Sequence, residues 1–405
     1  MADIFDRFKN EKGAFKESLV EDTKGLLELY EASFLMTEGE KTLELAREFV
    51  AKFLQKKLNE NNVIDDYHAL LVCDALDLPL HWRVERPKAR WFIVQKQGGS
   101  LTYKKKRPDM NPIVLELAKM YNRWWRSTCI AEKLPFARDR ITESYIWSVA
   151  RHFEPQYAHH RITGTKVNAF ITILDDIFDV YGSFEELQLF NDAIQRFDLV
   201  TETSLWLISK NYKIISSLNN LVDEIAYDIL KDHGVVIIPY LRKLWVDLSQ
   251  TYFQEAKWYY EGYKPTLQEY VENGWISILA PVILGHAFFL VADSIEKEAV
   301  QSLFKYHNMI RLVGVILRLA NDLGTSVDEM ERGDMWKSVQ CYMNQTGDIN
   351  KERVANSPFP YNFVRSAVNL GRTAQYLYHH GDGHGHKKCP KIKDDIRSLL
   401  FMPIA

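Results

Sequence analysis

The 405-residue sequence lacks most of the features that mark specialised classes of protein. Its four cysteines have no paired spacing, which excludes a zinc-finger or disulfide framework and favours a reducing compartment. The formal net charge of −3 provides no broad basic field for nucleic acid or for an anionic membrane surface. Any anionic ligand must therefore be held by a local group of cations.

The sequence also has no uninterrupted apolar run of membrane-spanning length. The most apolar window, from Trp275 to Val291, contains Pro281, Gly285 and His286. The N-terminal residues MADIFDRFKNEKG have neither the apolar core of a signal peptide nor the composition of an organelle transit peptide. We therefore expect a soluble protein with no membrane partner and no nucleic-acid partner.

Strand-like alternation is scarce, and helical periodicity takes its place. Leu26, Leu27, Tyr30 and Phe34 share one helix face, and a second face follows in Leu43, Ala46, Val50 and Phe53. The predicted fold class is all-α. A hydrophobic fraction of 46% is enough for two cores in a chain of this length.

One irregular stretch suggests where two domains meet. The segment Val94–Lys106, VQKQGGSLTYKKK, joins a Gly-Gly pair to a run of lysines, and the RPDMNP that follows is typical of a turn. We predict a boundary near residue 110, with one domain at 1–110 and another at 111–405.

Three aspartates end an apolar, helix-length run in VNAFITILDDIFDVYG. Asp175 and Asp179 are four residues apart, so they project from one helix face and bring carboxylate oxygens to a shared cation. With Asp176 they occupy the last turns before Gly182, where the helix dipole disfavours anions by roughly 0.3–1 kcal/mol each. The alternative is a solvated helix end, because short acidic runs are common.

A second cluster strengthens the metal hypothesis. In ILRLANDLGTSVDE, the residues Asn321, Thr325 and Glu329 stand at i, i+4 and i+8 on one stripe of a helix. An amide, a hydroxyl and a carboxylate are oxygen donors suited to Mg²⁺ rather than to zinc. The neighbouring Asp322 points elsewhere and either supports this cluster or lies at the surface.

Arginines complete the pattern of a site for a diphosphate. Arg138 and Arg140 follow Pro135 at a predicted helix entry, where forked guanidinium donors and free backbone N–H groups both favour anions. Arg318, one turn before Asn321, offers a further contact. The RDR motif alone indicates little, but together with two Mg²⁺-type clusters it predicts a binding site for a diphosphate.

These motifs carry a family resemblance. The DDIFD, NDLGTSVDE and RDR segments, together with FEPQY, DEIAYDILKDHG, YLRKLWVDL, QEAKWYYEGYKPTLQEYVENGWIS and HGDGHG, resemble plant class I terpene synthases over nearly the whole chain. In the sequences of these segments the chain is most similar to the monoterpene synthases of flowering plants. The resemblance implies a helical catalytic bundle preceded by a partial N-terminal helical domain.

The resemblance also implies an activity: a lyase that ionises geranyl diphosphate and cyclises the cation to a monoterpene. Asp175, Asp179, Asn321, Thr325 and Glu329 would ligate three Mg²⁺ ions, with Mn²⁺ as a substitute. Arg138, Arg140 and Arg318 would hold the diphosphate, and the catalytic set would be Asp175, Asp176, Asp179, Arg138 and Arg140. We expect a small-molecule isoprenyl diphosphate as partner, a monomer or weak homodimer, and the plastid as location, with the cytosol as the alternative.

The cavity beneath the metals would be lined by aromatic rings. Trp147, Phe153, Tyr342 and Tyr378 are candidates to face a cation, although each is also explained by core packing. Asn168 lies two turns before Asp175 on the same face, so its amide either holds a water that quenches the cation or bonds to a neighbouring helix. The first interpretation predicts an oxygenated product such as 1,8-cineole or α-terpineol.

Other features leave alternatives open. The histidines of HHGDGHGHKKC bind metal or, as the resemblance implies, belong to a loop that covers the filled site. A sesquiterpene or isoprene synthase and an inactive relative remain rival functions. Compared with the family, the chain begins inside the N-terminal domain, so its tandem-arginine segment is absent, and helical sequence is missing between Met120 and Tyr121. Either the gene product is truncated, or the protein possesses disordered segments that this sequence omits.

Overall fold

A computed structural model of the chain describes residues 5–11, 13–36, 40–59, 66–83, 138, 140–197, 205–332 and 357–379. Within these ranges the secondary structure is helical, and the one β-type pairing is an isolated bridge between Lys9 and Phe15. The predicted all-α class is therefore confirmed.

The chain divides into two compact units, and the first comprises Met1–Val84 together with Val339–Ser357, of which the structure describes residues within 5–83 and Ser357. This unit contains helices α1 (Thr23–Ser33), α2 (Lys41–Asn59) and α3 (Asp66–Asp77). The division falls at residues 84 and 85. The boundary predicted near residue 110 lies outside the described residues and stays a prediction.

The core of the first unit follows the predicted helical periodicity. Leu26 and Tyr30 of α1 are buried together with Leu43, Ala46 and Val50 of α2. The remaining members of the two predicted faces, Leu27, Phe34 and Phe53, pack against this core while partly exposed. Asp22 caps α1 by accepting a hydrogen bond from the Gly25 backbone N–H at 2.9 Å, which satisfies one donor of the first turn.

The second unit contains ten α-helices in its described ranges. They are α4 (Ile141–Arg151), α5 (Ala158–Asp176), α6 (Phe184–Arg196), α7 (Leu205–His233), α8 (Ile238–Glu261), α9 (Leu267–Ser277), α10 (Ala280–Val291), α11 (Lys297–Phe304), α12 (Asn308–Arg332) and α13 (Tyr361–Tyr378).

Packing between these helices runs in a closed circuit. Helix α4 packs against α5, the end of α5 against α8, and α8 against α9. Helix α9 then packs against α12, α12 against α13, and α13 returns to α4. Helix α10 lies against α5, α8 and α12. The circuit brings the end of α5 and the middle of α12 into one bundle, although they are far apart in sequence.

The end of α5 has an unusual backbone. The α-helix ends at Asp176 and continues as one π-helical segment, Ile177–Tyr181, which stops at Gly182. A Cβ at Gly182 would lie 2.3 Å from Leu187 Cδ2 and 2.7 Å from its Cγ, so a larger residue there would require the buried Leu187 side chain to move. Ser183 and Glu186 then form a capping box that begins α6. The predicted glycine stop is confirmed, and the π-helical turn was not predicted.

The most apolar stretch of the described residues is built into the bundle. By length and hydropathy alone, Leu267–Val291 meets the criteria for crossing a membrane. The sequence prediction excluded the shorter window from Trp275 to Val291 because Pro281, Gly285 and His286 interrupt it. The structure breaks this stretch into α9 and α10 at Leu279, whose φ is 70°. Within the protein, 83% of the apolar window is buried.

Candidate active site at the ends of two helices

The three aspartates at the end of α5 occupy different environments. The Asp176 side chain is 1% exposed, the Asp175 side chain is 33% exposed, and Asp179 in the π-helical segment is open to solvent. The predicted pair Asp175 and Asp179 is thus accessible to a ligand from outside the helix. Asp176 is turned into the protein.

Arg138 explains the burial of Asp176. Its backbone N–H donates to Asp176 Oδ2 at 2.6 Å, and its Nε donates to Oδ1 at 2.5 Å, so both carboxylate oxygens are satisfied. The Arg138 Nη2 reaches Asp175 Oδ2 at 2.6 Å. The side chain of Arg138 remains 49% exposed. One arginine therefore joins the two adjacent aspartates and still faces solvent.

Arg140 stands at the N-cap of α4, as predicted for a helix entry. Its Nη1 donates to Glu143 Oε1 at 3.0 Å, so in this state the guanidinium is directed to its own helix. Of the two arginines of the RDR motif, the structure brings Arg138 to the aspartates.

A matching arrangement lies on α12. Arg318 donates from Nε to Asp322 Oδ1 at 2.7 Å and from Nη2 to Asn321 Oδ1 at 2.7 Å. Tyr270 of α9 donates from its hydroxyl to Asp322 Oδ2 at 2.6 Å. The Asp322 side chain is 1% exposed. Of the two interpretations of Asp322, the structure therefore favours the supporting one over a surface position.

The remaining members of the second predicted cluster are placed only in part. The hydroxyl of Thr325 donates to the Asn321 carbonyl at 2.9 Å. Glu329 belongs to α12, but its side chain lies outside the described residues. Among the described side chains, no group of three or more His, Cys, Asp or Glu stands in metal-binding proximity. The predicted ligand set, which needs an amide, a hydroxyl and Glu329, stays a prediction.

The electrostatics of the site favour a cation. Desolvation of its carboxyl by the protein groups packed around it, then repulsion from Asp175 and Glu255, raises the pKa of Asp179 to about 8, although the residue keeps an exposed surface. Burial also raises the pKa of Asp175, although Arg138 opposes the shift. Arg318 lowers the pKa of both aspartates, so α12 and the end of α5 are within electrostatic reach of each other. Carboxyls that disfavour each other's charge suit a divalent cation, which would relieve the repulsion.

Glu255 on α8 is a residue that the sequence reasoning missed. Its Oε1 accepts hydrogen bonds from Asn273 Nδ2 at 3.0 Å and from Ser277 Oγ at 2.6 Å, and its charge acts on Asp179. Tyr252, one turn earlier on α8, is buried, and its hydroxyl has no hydrogen-bond partner within the described residues. In sequence Glu255 stands in QEAKWYY beside Lys257, among mixed polar and aromatic residues, so the local pattern does not distinguish it.

The side chains predicted to line the cavity are partly brought together. Trp147 and Tyr378 lie with ring centroids 6.4 Å apart, whereas Phe153 packs beneath Arg365 at 5.5 Å. Tyr342 lies outside the described residues, as do the histidines of the tail beyond His379. The structure therefore tests only part of the aromatic prediction, and it leaves the histidine tail open.

Asn168 bonds to a neighbouring helix, as one of its two interpretations predicts, and its other amide atom is still available to a water, as the second requires. Its Nδ2 donates to the Ser144 carbonyl of the neighbouring α4 at 3.0 Å. Its Oδ1 is buried and has no partner within the described residues. A buried amide oxygen without a donor is costly, so it invites a bound water.

Comparison with known proteins decides the family. Residues 126–357 match the terpene synthase family metal-binding domain, and residues 1–76 match the terpene synthase N-terminal domain. The chain belongs to the terpene synthase family. As a terpene synthase it is a carbon–oxygen lyase that acts on isoprenyl diphosphates, which confirms the resemblance described above.

Several curated relatives resemble this terpene synthase over most of its length. It is 48% identical to (−)-α-terpineol synthase of Vitis vinifera, with 99% of the chain and 72% of the relative covered. It is 47% identical to a chloroplastic cineole synthase of Salvia fruticosa, with 98% and 71% covered. The alignment with the terpineol synthase spans 436 positions, more than the 405 residues of this chain. The terpineol synthase therefore has residues within the aligned region that this sequence lacks.

Solved structures agree with the fold. A limonene synthase crystallised with 2-fluorolinalyl diphosphate has a TM-score of 0.88 and 46% identity, with all of this chain and 79% of that one covered. An isoprene synthase from grey poplar, in complex with three Mg²⁺ ions and dimethylallyl-S-thiolodiphosphate, has a TM-score of 0.88 and 37% identity, with 100% and 81% covered. The predicted class I helical bundle is confirmed.

Proposed function

We propose that this terpene synthase uses Mg²⁺ to ionise geranyl diphosphate and cyclises the resulting cation to a monoterpene. The observation that carries the proposal is the approach of two exposed carboxylates at the end of α5 to Arg138 and to Arg318 of α12. An anion with several oxygens and its metal ions would fit between such groups. The relatives named for terpineol and cineole synthesis support a ten-carbon substrate.

The residues present fit the metal. Asp175 and Asp179, with raised pKa values, would hold Mg²⁺ on one side, and Asn321, Thr325 and Glu329 would hold it on the other. The isoprene synthase complex with three Mg²⁺ supports the same number of ions here. Mn²⁺, which also prefers oxygen ligands, would substitute. When bound, Mg²⁺ would supply Lewis-acid stabilisation of the leaving diphosphate.

The protein's own groups would complete the ionisation. Arg138 and Arg318 are held by buried carboxylates and would donate to diphosphate oxygens, with Arg140 turning from Glu143 to join them. The allylic C–O bond would break heterolytically, and its electron pair would leave with the diphosphate. Trp147 and Tyr378 would then offer their ring faces to the carbocation, which ends by losing a proton or by capturing water.

The first test is product analysis by gas chromatography after incubation with geranyl diphosphate. We expect a terpene with Mg²⁺ and none with a chelator, and loss of product in Asp175→Asn. Asp223→Asn, which removes an exposed aspartate of α7 far along the sequence from the cluster, is the matched control and should retain the activity. A metal-independent product, or equal loss in both variants, would exclude the proposed site.

The same assay separates the rival functions. Turnover of farnesyl or dimethylallyl diphosphate in preference to geranyl diphosphate would indicate a sesquiterpene or isoprene synthase. Absence of turnover with every diphosphate from a folded, helical protein would favour the inactive relative. The chloroplastic names of relatives from Quercus ilex and Salvia fruticosa support the plastid as the site of action.

For the product, we propose that Asn168 holds the water that quenches the cation. Its unpartnered Oδ1 would accept a hydrogen bond from that water, while Nδ2 stays on the Ser144 carbonyl. In Asn168→Ala the ratio of oxygenated terpene to olefin should fall at least several-fold. An unchanged ratio would assign Asn168 to helix packing alone.

A further inference from the structure

A small cavity lies away from the aspartates, among α4, α5 and α10. It is a small space whose polar lining comes from Arg151, His152, His160 and His286, and whose floor includes Gly164. Gly164 is about 16 Å of helix before Asp175, at the opposite part of α5. A Cβ at Gly164 would lie 2.9 Å from Arg151 Nη2, so the glycine makes room for the guanidinium.

Arg151 is the charge at this cavity. The residue is 4% exposed, and its side chain donates weakly to neutral groups, the Trp147 carbonyl at 3.3 Å and Ser148 Oγ at 3.4 Å. It forms no ion pair with any described carboxylate. Burial without such a partner lowers the pKa of Arg151 to about 10. An uncompensated guanidinium in the protein interior is costly, which calls for an anion.

The imidazoles point to a ligand as well. His286 is 1% exposed; its Nδ1 contacts the Val282 carbonyl at 2.8 Å, so Nε2 is the nitrogen left without a partner. His160 Nδ1 is likewise buried and unpartnered. The charged or titratable groups that act on the three histidines are all basic: Arg151, His159, His160, Arg161 and Arg365.

We propose that this cavity binds one small inorganic anion of the halide class, held by the Arg151 guanidinium and by His286. A neutral His286 presents a lone pair at Nε2, so binding of the anion brings a proton to that nitrogen and makes it a donor. The cavity is too small for a diphosphate, and a water molecule would satisfy Nε2 without balancing Arg151. The anion thus supplies the negative charge that the described lining residues lack.

Thermal unfolding of the full chain tests the proposal. Sodium chloride is titrated against sodium gluconate at equal ionic strength, because gluconate is too large to enter the cavity. At chloride ten times its dissociation constant the unfolding midpoint should rise by about 2 °C. The rise should be larger at pH 6 than at pH 8, because the anion and the His286 proton bind together.

Two variants and a direct view complete the test. Arg151→Met should abolish the chloride-specific rise, whereas Arg196→Met, which removes an exposed arginine of α6, should retain it. Crystals of the unaltered protein grown in sodium bromide should show an anomalous peak beside Arg151, and this result decides if Arg151→Met does not fold. Equal responses to chloride and gluconate, a rise that survives Arg151→Met, or a water without anomalous signal would each overturn the proposal.

Discussion

Replacing Asp176 by Asn should separate the structural work of this aspartate from the metal chemistry of its neighbour Asp175. Asp176 accepts two hydrogen bonds from Arg138, one from the backbone and one from Nε. Asparagine keeps one acceptor for the backbone N–H, but it turns an N–H₂ donor towards the Nε donor. The variant therefore loses one charge-assisted hydrogen bond in a buried position.

The magnitude follows from the exposure of the two partners. A hydrogen bond to a charged group contributes about 1.5–3 kcal/mol, and Arg138 recovers part of this from water because half of its side chain is exposed. We expect Asp176→Asn to lower the free energy of unfolding by about 2 kcal/mol, or the midpoint by about 2–3 °C for a chain of 405 residues. Asp175 is one-third exposed and forms one hydrogen bond with Arg138, so Asp175→Asn should lower the free energy of unfolding by only about 0–1 kcal/mol.

The assay is thermal unfolding followed by circular dichroism at 222 nm, without and with Mg²⁺ and pyrophosphate. Asp175→Asn should unfold near the unaltered protein but lose the stabilisation by Mg²⁺. Asp176→Asn should unfold early and keep part of that stabilisation, because its carboxylate is not among the proposed ligands. The reasoning is refuted if Asp176→Asn is as stable as the control Asp223→Asn, or if Asp175→Asn is the less stable of the two neighbours.

Three further predictions concern stability and ligand binding. Burial lowers the pKa of His286 to about 4, whereas the imidazole of the unfolded chain titrates near 6.5. The contribution of neutral His286 to the free energy of unfolding is therefore fully present above pH 6.5 and is lost as the pH falls through 4. His286→Leu should remove up to about 3 kcal/mol of this acid-induced loss, as measured by acid unfolding curves in gluconate. Tyr270→Phe deletes the bond to Asp322 and should cost about 1 kcal/mol in unfolding and raise the KM for the diphosphate several-fold with little change in kcat. Ser183→Ala breaks the capping box with Glu186 and should cost about 1 kcal/mol, whereas Ser183→Gly should cost only a few tenths, as measured by chemical denaturation.

Local sequence was enough to predict the helices and their ends near the site. The apolar period of residues 167–174, followed by aspartates and Gly182, predicted a helix that stops where the structure stops it. The same local logic placed Arg140 at the entry of α4. Spacing of three or four residues fixes a shared face within one helix, so such predictions need no tertiary information.

Partners between helices could not be predicted in the same way. Arg138 binds Asp176 across 38 positions of sequence, and Tyr270 binds Asp322 across 52. No periodicity relates such residues, and the choice between Asp175 and Asp176 depends on which one the packing of α5 turns inwards. The role of Glu255 has the same origin, because its approach to Asp179 depends on how α8 packs against the π-helical segment.

The end of α5 and the middle of α12 each position an arginine in the same way. Each carries adjacent polar residues, Asp175–Asp176 on α5 and Asn321–Asp322 on α12, and successive residues of a helix point about 100° apart. In each pair the second member is 1% exposed and binds an arginine, while the first is only half-buried and contacts the same arginine. The arginines are therefore positioned by carboxylates that no ligand needs to displace. It follows that Arg138 and Arg318, the proposed diphosphate donors, are held in position without a metal, and that a change of metal should alter the contacts of the proposed ligands Asp175 and Asn321 without releasing Arg138 from Asp176 or Arg318 from Asp322.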